Sequence, residues 1–401
     1  MPATQGGAVE ELIDHYVALN AVSREHDFTV FTCAPSTRTS TGSLSAGFPT
    51  GESTPTTTYV TIPMHSLRAR LRRKLRAHLC PPRIYDYYVN DFYLSARRRL
   101  LRQRWDAVIL ENRPGFALDL RQHTAAHIIL HHHLDNLGPD MPHSAEMCRN
   151  IDLVISASDY LANRVHNIIG DFPADKRPHV TTVHNGIDVK AFASAKPANR
   201  ADFGLAPTDF VIVYSGRIDP IKGIRELVKA MCLINSCGTA TAPSARLRLL
   251  IVGGSFYGGD IGGNQDFLLA LRAEAAPLRD NIVFTGFVPH GQVASLLKMA
   301  DLAVLPSTCQ EAFALTVVEA MAAGVPVLTT RSGGVPETCE GVAHILDQGP
   351  DLPQRLADEI VQLASAPDEL RRMAEAGRQR AQQFSHKAYA RAFLDALQSP
   401  P

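Results

Sequence analysis

Short, nearly unbroken apolar runs punctuate the second half of the chain: FVIVYSG (210–216), RLLIVGG (248–254), IVFTG (282–286), LAVLP (302–306) and PVLTT (326–330). Between them, over 223–234, 265–276, 291–299 and 313–323, apolar residues recur at helical spacing. The runs predict strands buried on both faces, and the spaced stretches predict helices packed against them. Such alternation predicts a parallel sheet covered on both sides. The first half repeats the theme less regularly. EELIDHYVALNAV predicts a helix, FTVFT a strand, and AVIL (107–110), HIIL (127–130), LVISAS (153–158) and VTTVHN (180–185) further strands. Residues 34–58, rich in Ser, Thr, Gly and Pro, read as a flexible loop, and 186–208 as a linker. Residues 377–398 read as one final helix.

A chain of 401 residues is too long for one ordinary core. The pattern therefore predicts an α/β protein of two Rossmann-like domains facing a cleft. Their expected extents are 1–190 and 191–376, with a closing helix at 377–401 that crosses back to the first. Formal net charge is zero, which gives no bulk attraction to nucleic acid. The balance is uneven: residues 1–200 carry 23 Lys and Arg against 19 Asp and Glu. The seven cysteines are scattered with no Cys-x-x-Cys, so neither a disulfide framework nor a zinc knuckle is indicated, and a reducing cytoplasm fits. No apolar run reaches the roughly 18–20 residues of a membrane span.

Ligands on open α/β sheets lie beyond the carboxyl ends of the strands. Two segments there carry charge. In EAFALTVVEAMAAGVPV (311–327), Glu311 and Glu319 bracket an apolar helix expected to start near Phe313–Leu315 and to stop at Gly324. The free N–H groups of its first turn favour an anion, and carboxylates accept hydrogen bonds from sugar hydroxyls. A nucleotide-sugar needs that combination: pyrophosphate in the middle, ribose at one end, hexose at the other. In SGRIDPIKG, Arg217 and Lys222 follow a strand, and a guanidinium fork with an ammonium suits a diphosphate. Taken singly, each could be a solvated surface charge.

The chain resembles a retaining glycosyltransferase of family 4 with the GT-B fold. GRIDPIKG is similar to that family's Gly-Arg…Lys-Gly motif and EAFALTVVEAMAAGVPVLTT to its Glu-x7-Glu motif, with HNGID, GFVP and SGGVPE in matching order. ENRPG (111–115) and LHHHLDN (130–136) resemble a branch that builds cell-surface polysaccharide, coat or lipopolysaccharide sugars. The resemblance implies that Arg217 and Lys222 hold the departing diphosphate, that Glu311 binds donor-sugar hydroxyls and that Glu319 binds the ribose. It implies that backbone N–H groups of Phe313, Ala314 and Leu315 cradle sugar and phosphate, that Gly7 approaches the phosphates, and that Val288 lies near the base. The donor would be a nucleoside diphosphate sugar, with UDP favoured. The acceptor would be a glycan or lipid-linked sugar. No cofactor is implied.

Where that branch has His-x-His-Asn-Asp, this chain has His131, His132, His133, Leu134 and Asp135. His133 is expected near the donor sugar. Successive strand residues point to opposite faces, which keeps the His triplet from converging on a metal. No Asp-x-Asp pair occurs, so cationic side chains would do the work of Mg²⁺. SLRARLRRKLRAHL (66–79) sets Leu67, Leu71, Leu75 and Leu79 among six basic residues, a pattern suited to an anionic membrane surface on the cytoplasmic side. The chain begins in the loop that should follow the first strand, so the first domain is expected to lack that strand. A GT-B sugar-nucleotide epimerase and an inactive transferase scaffold are the alternative readings. The glycine-rich GGSFYGGDIGG (253–263) lacks the dinucleotide fingerprint.

Overall fold

A computed structural model describes residues 8–33, 54–64, 69–71, 74, 85, 87–236, 245–254 and 265–398. Gly7 and most of the basic stripe at 66–79 lie outside the described residues, as does most of the Gly-rich segment at 253–263. The chain forms two compact units. Unit 1 comprises 1–157, 162–183 and 390–401; unit 2 comprises 158–161 and 184–389.

Unit 1 contains two parallel sheets. Strands β1 (Phe28–Cys33) and β2 (Thr57–Ile62) pair with each other. Strands β3 (Ala107–Glu111), β4 (His127–His132), β5 (Leu153–Ser156) and β6 (His179–Thr182) form the second sheet in simple sequential order. Ile128, Leu130 and Val154 are fully buried, as continuous apolar runs in a parallel sheet require. Around them pack Phe116, Leu120, Met147 and Val165. The last helix, His386–Leu397, enters unit 1 at Ala390. There Phe393 stacks on Tyr16 of helix Ala8–Ser23 at 4.3 Å between centroids. Arg391 pairs with Glu25 through both guanidinium nitrogens, each at 2.6 Å.

Unit 2 is a six-stranded parallel sheet. Its strands are β7 (Phe210–Ser215), β8 (Leu247–Val252), β9 (Ile282–Gly286), β10 (Leu302–Leu305), β11 (Val327–Thr330) and β12 (His344–Leu346). Their spatial order is β12-β11-β10-β7-β8-β9. The chain leaves β7 towards β8 and β9, then returns to the other side of β7 with β10. The topological switch point therefore lies between β7 and β10, where open α/β sheets bind ligands.

Two sequence expectations need correction. The supposed linker 186–208 contains a helix, Val189–Ser194, and a 3₁₀ turn, Arg200–Phe203, each started by a side-chain cap: Asp188 accepts from Ala191 N–H and Asn199 from Ala201 N–H. The single closing helix is two. Pro367–Ala381 ends in a 3₁₀ turn, and extended Ser385 precedes His386–Leu397, its hydroxyl accepting from Ala388 N–H at 3.3 Å.

A charged site at the switch point of unit 2

The loop after β7 runs over itself before the next helix. Its Gly216 carbonyl lies where a Cβ on Gly253, at φ +140°, would come within 2.0 Å, so the end of β8 must carry glycine there. The Tyr214 hydroxyl donates to the Arg217 carbonyl at 2.8 Å and fixes that residue's backbone. Asp219 holds the Arg217 guanidinium at 3.1 Å and also caps the 3₁₀ turn Pro220–Lys222. Gly223 ends the turn at φ +68°, and a Cβ there would overlap the Pro306 carbonyl at 1.7 Å. The glycine after Lys222 is thus a contact requirement between the loops following β7 and β10.

Those two loops are sewn together. Thr308 and Cys309 N–H groups both donate to the Ile221 carbonyl. The result places the Lys222 Nζ 2.6 and 2.8 Å from the two oxygens of Glu311. The Ser307 hydroxyl makes a further short bond to Glu311. Glu311 is held from behind as well. Its N–H donates to the Ser332 hydroxyl at 3.0 Å, and its carbonyl accepts from Gly334 N–H at 2.8 Å. Gly333, at φ +48°, would drive a Cβ to 2.2 Å from the Glu311 carbonyl, and Gly334 one to 2.5 Å from that of Ala312. The Gly-Gly of SGGVPE is the floor on which this loop lies.

Helix Leu315–Ala323 starts at Ala314, which adopts φ +65°, ψ +66°, a left-handed conformation that costs a non-glycine residue on the order of 1 kcal/mol. The helix stops at Gly324, φ +78°, the expected C-cap. Phe313 is buried, its ring 5.6 Å from that of His184. Glu319 is buried among apolar neighbours on the same helix, with Oε1 2.8 Å from Nε2 of His290. Val288, just past β9, is half-buried two residues before that histidine.

The structure therefore brings Arg217, Lys222, Glu311, Phe313, Ala314, Leu315 and Glu319 together around the switch-point loops and the helix that follows. His133 is in unit 1. It lies just past β4, buried, with its ring 3.8 Å from that of His131. Glu111, at the end of neighbouring β3, completes a cluster: Oε2 is 3.0 Å from Nδ1 of His131 and 3.8 Å from Nε2 of His133. Burial pushes the Glu111 carboxyl up to about 7 and the His131 imidazole down to about 3. These three side chains are spaced so that they could hold a small cation; Asp159, His184 and Glu337 form a second such group in unit 2. There the Glu337 carboxylate already accepts from the Asp159 and Tyr160 N–H groups, each at 2.7 Å.

Sequence reading missed Asp219, Ser307, Ser332 and His290. The signal for Ser332 was the SGG motif itself; His290 had none beyond its nearness to GFVP.

Residues 195–380 match the family model of glycosyl transferases group 1. The match falls within unit 2. A D-inositol 3-phosphate glycosyltransferase of Segniliparus rotundus is 33% identical over 54% of this chain, and the alignment spans 46% of that relative, less than half its length. Spore coat protein SA of Bacillus subtilis is 26% identical over 74% of this chain and 79% of its own. Among solved structures, Anabaena HepE in complex with UDP superposes with TM-score 0.64 at 19% identity, covering 86% of each chain. A trehalose-phosphate synthase from Burkholderia xenovorans does so with TM-score 0.70 at 16% identity, covering 98% of this chain and 97% of its own. These likenesses show the fold, which is GT-B. The switch-point residues all lie within the stretch that matches that family model.

Proposed function

We propose that the protein is a retaining glycosyltransferase that moves a hexose from a nucleoside diphosphate sugar, a UDP-sugar, to a saccharide or lipid-linked acceptor in cell-surface glycan synthesis. One observation carries this reading. The Lys222–Glu311 pair sits at the switch point beside the N-terminus of helix Leu315–Ala323, joining a diphosphate cation to a hydroxyl-binding carboxylate. HepE, a solved structure of the same fold, was captured with UDP and with UDP-glucose, and several relatives are named glycosyltransferases. The bond from the anomeric carbon to the diphosphate oxygen breaks as the acceptor oxygen bonds to the same face. The acceptor proton passes to the departing phosphate oxygen. Arg217 and Lys222 stabilise the charge that develops on the diphosphate, the task a metal performs elsewhere.

Each of these cations has a carboxylate partner within the protein: Lys222 has Glu311 and Arg217 has Asp219. Donor binding exchanges one set of partners for another, so the cations are pre-positioned. Unit 1 is assigned the acceptor. The exposed Leu71, Leu101, Arg98, Arg102 and Arg104 support contact with an anionic membrane face.

A screen of UDP-, GDP- and ADP-sugars, with and without excess EDTA, tests the proposal. Transfer from one donor should persist in EDTA. Lys222→Ala should lower turnover at least about tenfold, the loss of one charge-assisted contact worth about 1.5–3 kcal/mol. Glu311→Ala should slow transfer more than it weakens nucleotide binding. Wild-type turnover in both variants would overturn the site; complete loss in EDTA, restored by Mg²⁺ or Mn²⁺, would overturn its metal independence.

A further inference from the structure

The carboxylate of Glu319 raises a problem that its helix does not solve. It projects from the second turn of Leu315–Ala323, where Val317, Val318, Ala320 and Met321 are all buried. A carboxylate this deeply buried needs a polar partner to stay charged and to stay put. That partner comes from another element. His290 opens the helix His290–Lys298, directly after Pro289, and its Nε2 lies 2.8 Å from Oε1 of Glu319. One side of the imidazole faces Phe192, with ring centroids 5.8 Å apart; the Phe192 side chain is itself buried, in the helix Val189–Ser194. Among the described residues no group bonds Oε2 of Glu319.

We propose that His290 is a positioning residue for nucleotide recognition: it fixes Glu319 by one oxygen so that the other is aimed at the ribose hydroxyls of the donor. The proposal rests on the donor site argued above. A terminal carboxylate torsion is broad and roughly two-fold, so an unheld Glu319 would have to be ordered when the nucleotide arrives. With Oε1 engaged, that ordering is complete beforehand, which is how preorganisation gains affinity. A neutral imidazole with its proton on Nε2 suffices. The requirement is a donor at that place, not a charge. Glutamine can supply one; alanine cannot.

Three variants and two ligands test this: His290→Ala, His290→Gln and Glu319→Ala, each titrated with UDP and with its 2′,3′-dideoxy analogue, and each assayed for turnover at saturating donor. His290→Ala should weaken UDP about tenfold, leave dideoxy-UDP unchanged and keep turnover near wild type once donor saturates. His290→Gln should recover most of the UDP affinity. Glu319→Ala should show the same selective loss. If His290→Ala binds UDP as wild type does while Glu319→Ala does not, the positioning role is wrong and the donor site stands. If Glu319→Ala is also without effect, the ribose assignment falls and this proposal with it. An equal loss for UDP and the dideoxy analogue in His290→Ala, unrelieved by glutamine, would mark a merely structural histidine and overturn the proposal.

Discussion

Glu111 and His131 face each other across paired positions of β3 and β4, and burial moves them in opposite directions. Glu111, ordinarily near 4.5, is raised to about 7 by desolvation; His131, ordinarily near 6.5, is lowered to about 3 for the same reason. Between about pH 4.5 and 7 the native chain keeps a Glu111 proton that the unfolded chain releases. That contribution to stability is full below the unfolded value and is lost as pH rises through 7. His131 works the other way. Its neutral native form costs nothing above 6.5, and stability drains as pH falls towards 3. Glu111→Gln removes the first slope and leaves the second. Wild type should therefore lose stability relative to Glu111→Gln on going from about pH 5 to about pH 8, on the order of 2 kcal/mol. Urea denaturation at several pH values measures it, and parallel curves would show that the carboxyl does not titrate as described. In the sequence, Glu111 was only the first letter of ENRPG and the histidines only a triplet. Their register across the ladder, Glu111 opposite His131, is what joins them, and register between strands is not written locally.

At the scale of elements, legibility followed length and continuity. The buried strands of unit 2 were plain because each is an unbroken apolar run in a parallel sheet. β12 has three half-buried residues, too few to carry a pattern, and β2 is Thr-rich and adjoined a loop-like segment. The site residues that carry charge were legible by spacing. Those that support them, Ser307, Ser332, Gly333 and Gly334, act across loops that meet only because β10 and β11 are neighbours. One elemental joint that sequence gave no hint of is Arg248, a cation at the second position of β8. Its Nη1 lies 3.1 Å from Asp209 at the start of β7, with both side chains more than nine-tenths buried, and it also donates to the Gly204 carbonyl at 2.9 Å. Asp209 in turn accepts from Ala206 N–H at 2.8 Å. Asp209→Ala strands a buried guanidinium and should cost about 3–5 kcal/mol. Replacing both partners together, Asp209→Leu with Arg248→Met, should cost far less, because no charge is then left unpaired. Equilibrium unfolding of the single and double variants decides. Additive losses would show that the pair is not coupled.

On the scale of the whole molecule, the two-unit α/β architecture was readable from periodicity alone, because strand and helix periods alternate over most of the chain. The route of the chain between the units was not: no periodicity tells that residues 158–161 belong with unit 2 or that unit 1 resumes at Ala390. No helix among the described residues is long and apolar enough to cross a membrane. Cutting the chain after Tyr389 should leave unit 2 cooperative and expose unit 1. Tyr16 would lose its stacking partner Phe393, Glu25 would lose Arg391, and His131 would lose the ring that lies 4.5 Å from it. Amide exchange should then rise throughout helix Ala8–Ser23 and β4 while β7 and β8 stay protected. Unchanged protection in unit 1 would show that it is complete without its last helix.

That last segment also sets a clock. Residue 390 leaves the ribosome 207 residues after 183, the preceding residue of unit 1. At roughly 5–20 residues per second, this is a wait of about 10–40 s. Unit 2 is itself emerging through that interval, and unit 1 cannot finish until after it. For that time Tyr16 lacks the ring of Phe393 and Glu25 lacks Arg391. The order of synthesis and the order of completion are therefore reversed in this protein: the unit translated first is the one finished last, and the burden of keeping it from aggregating falls on whatever attends the chain as it emerges.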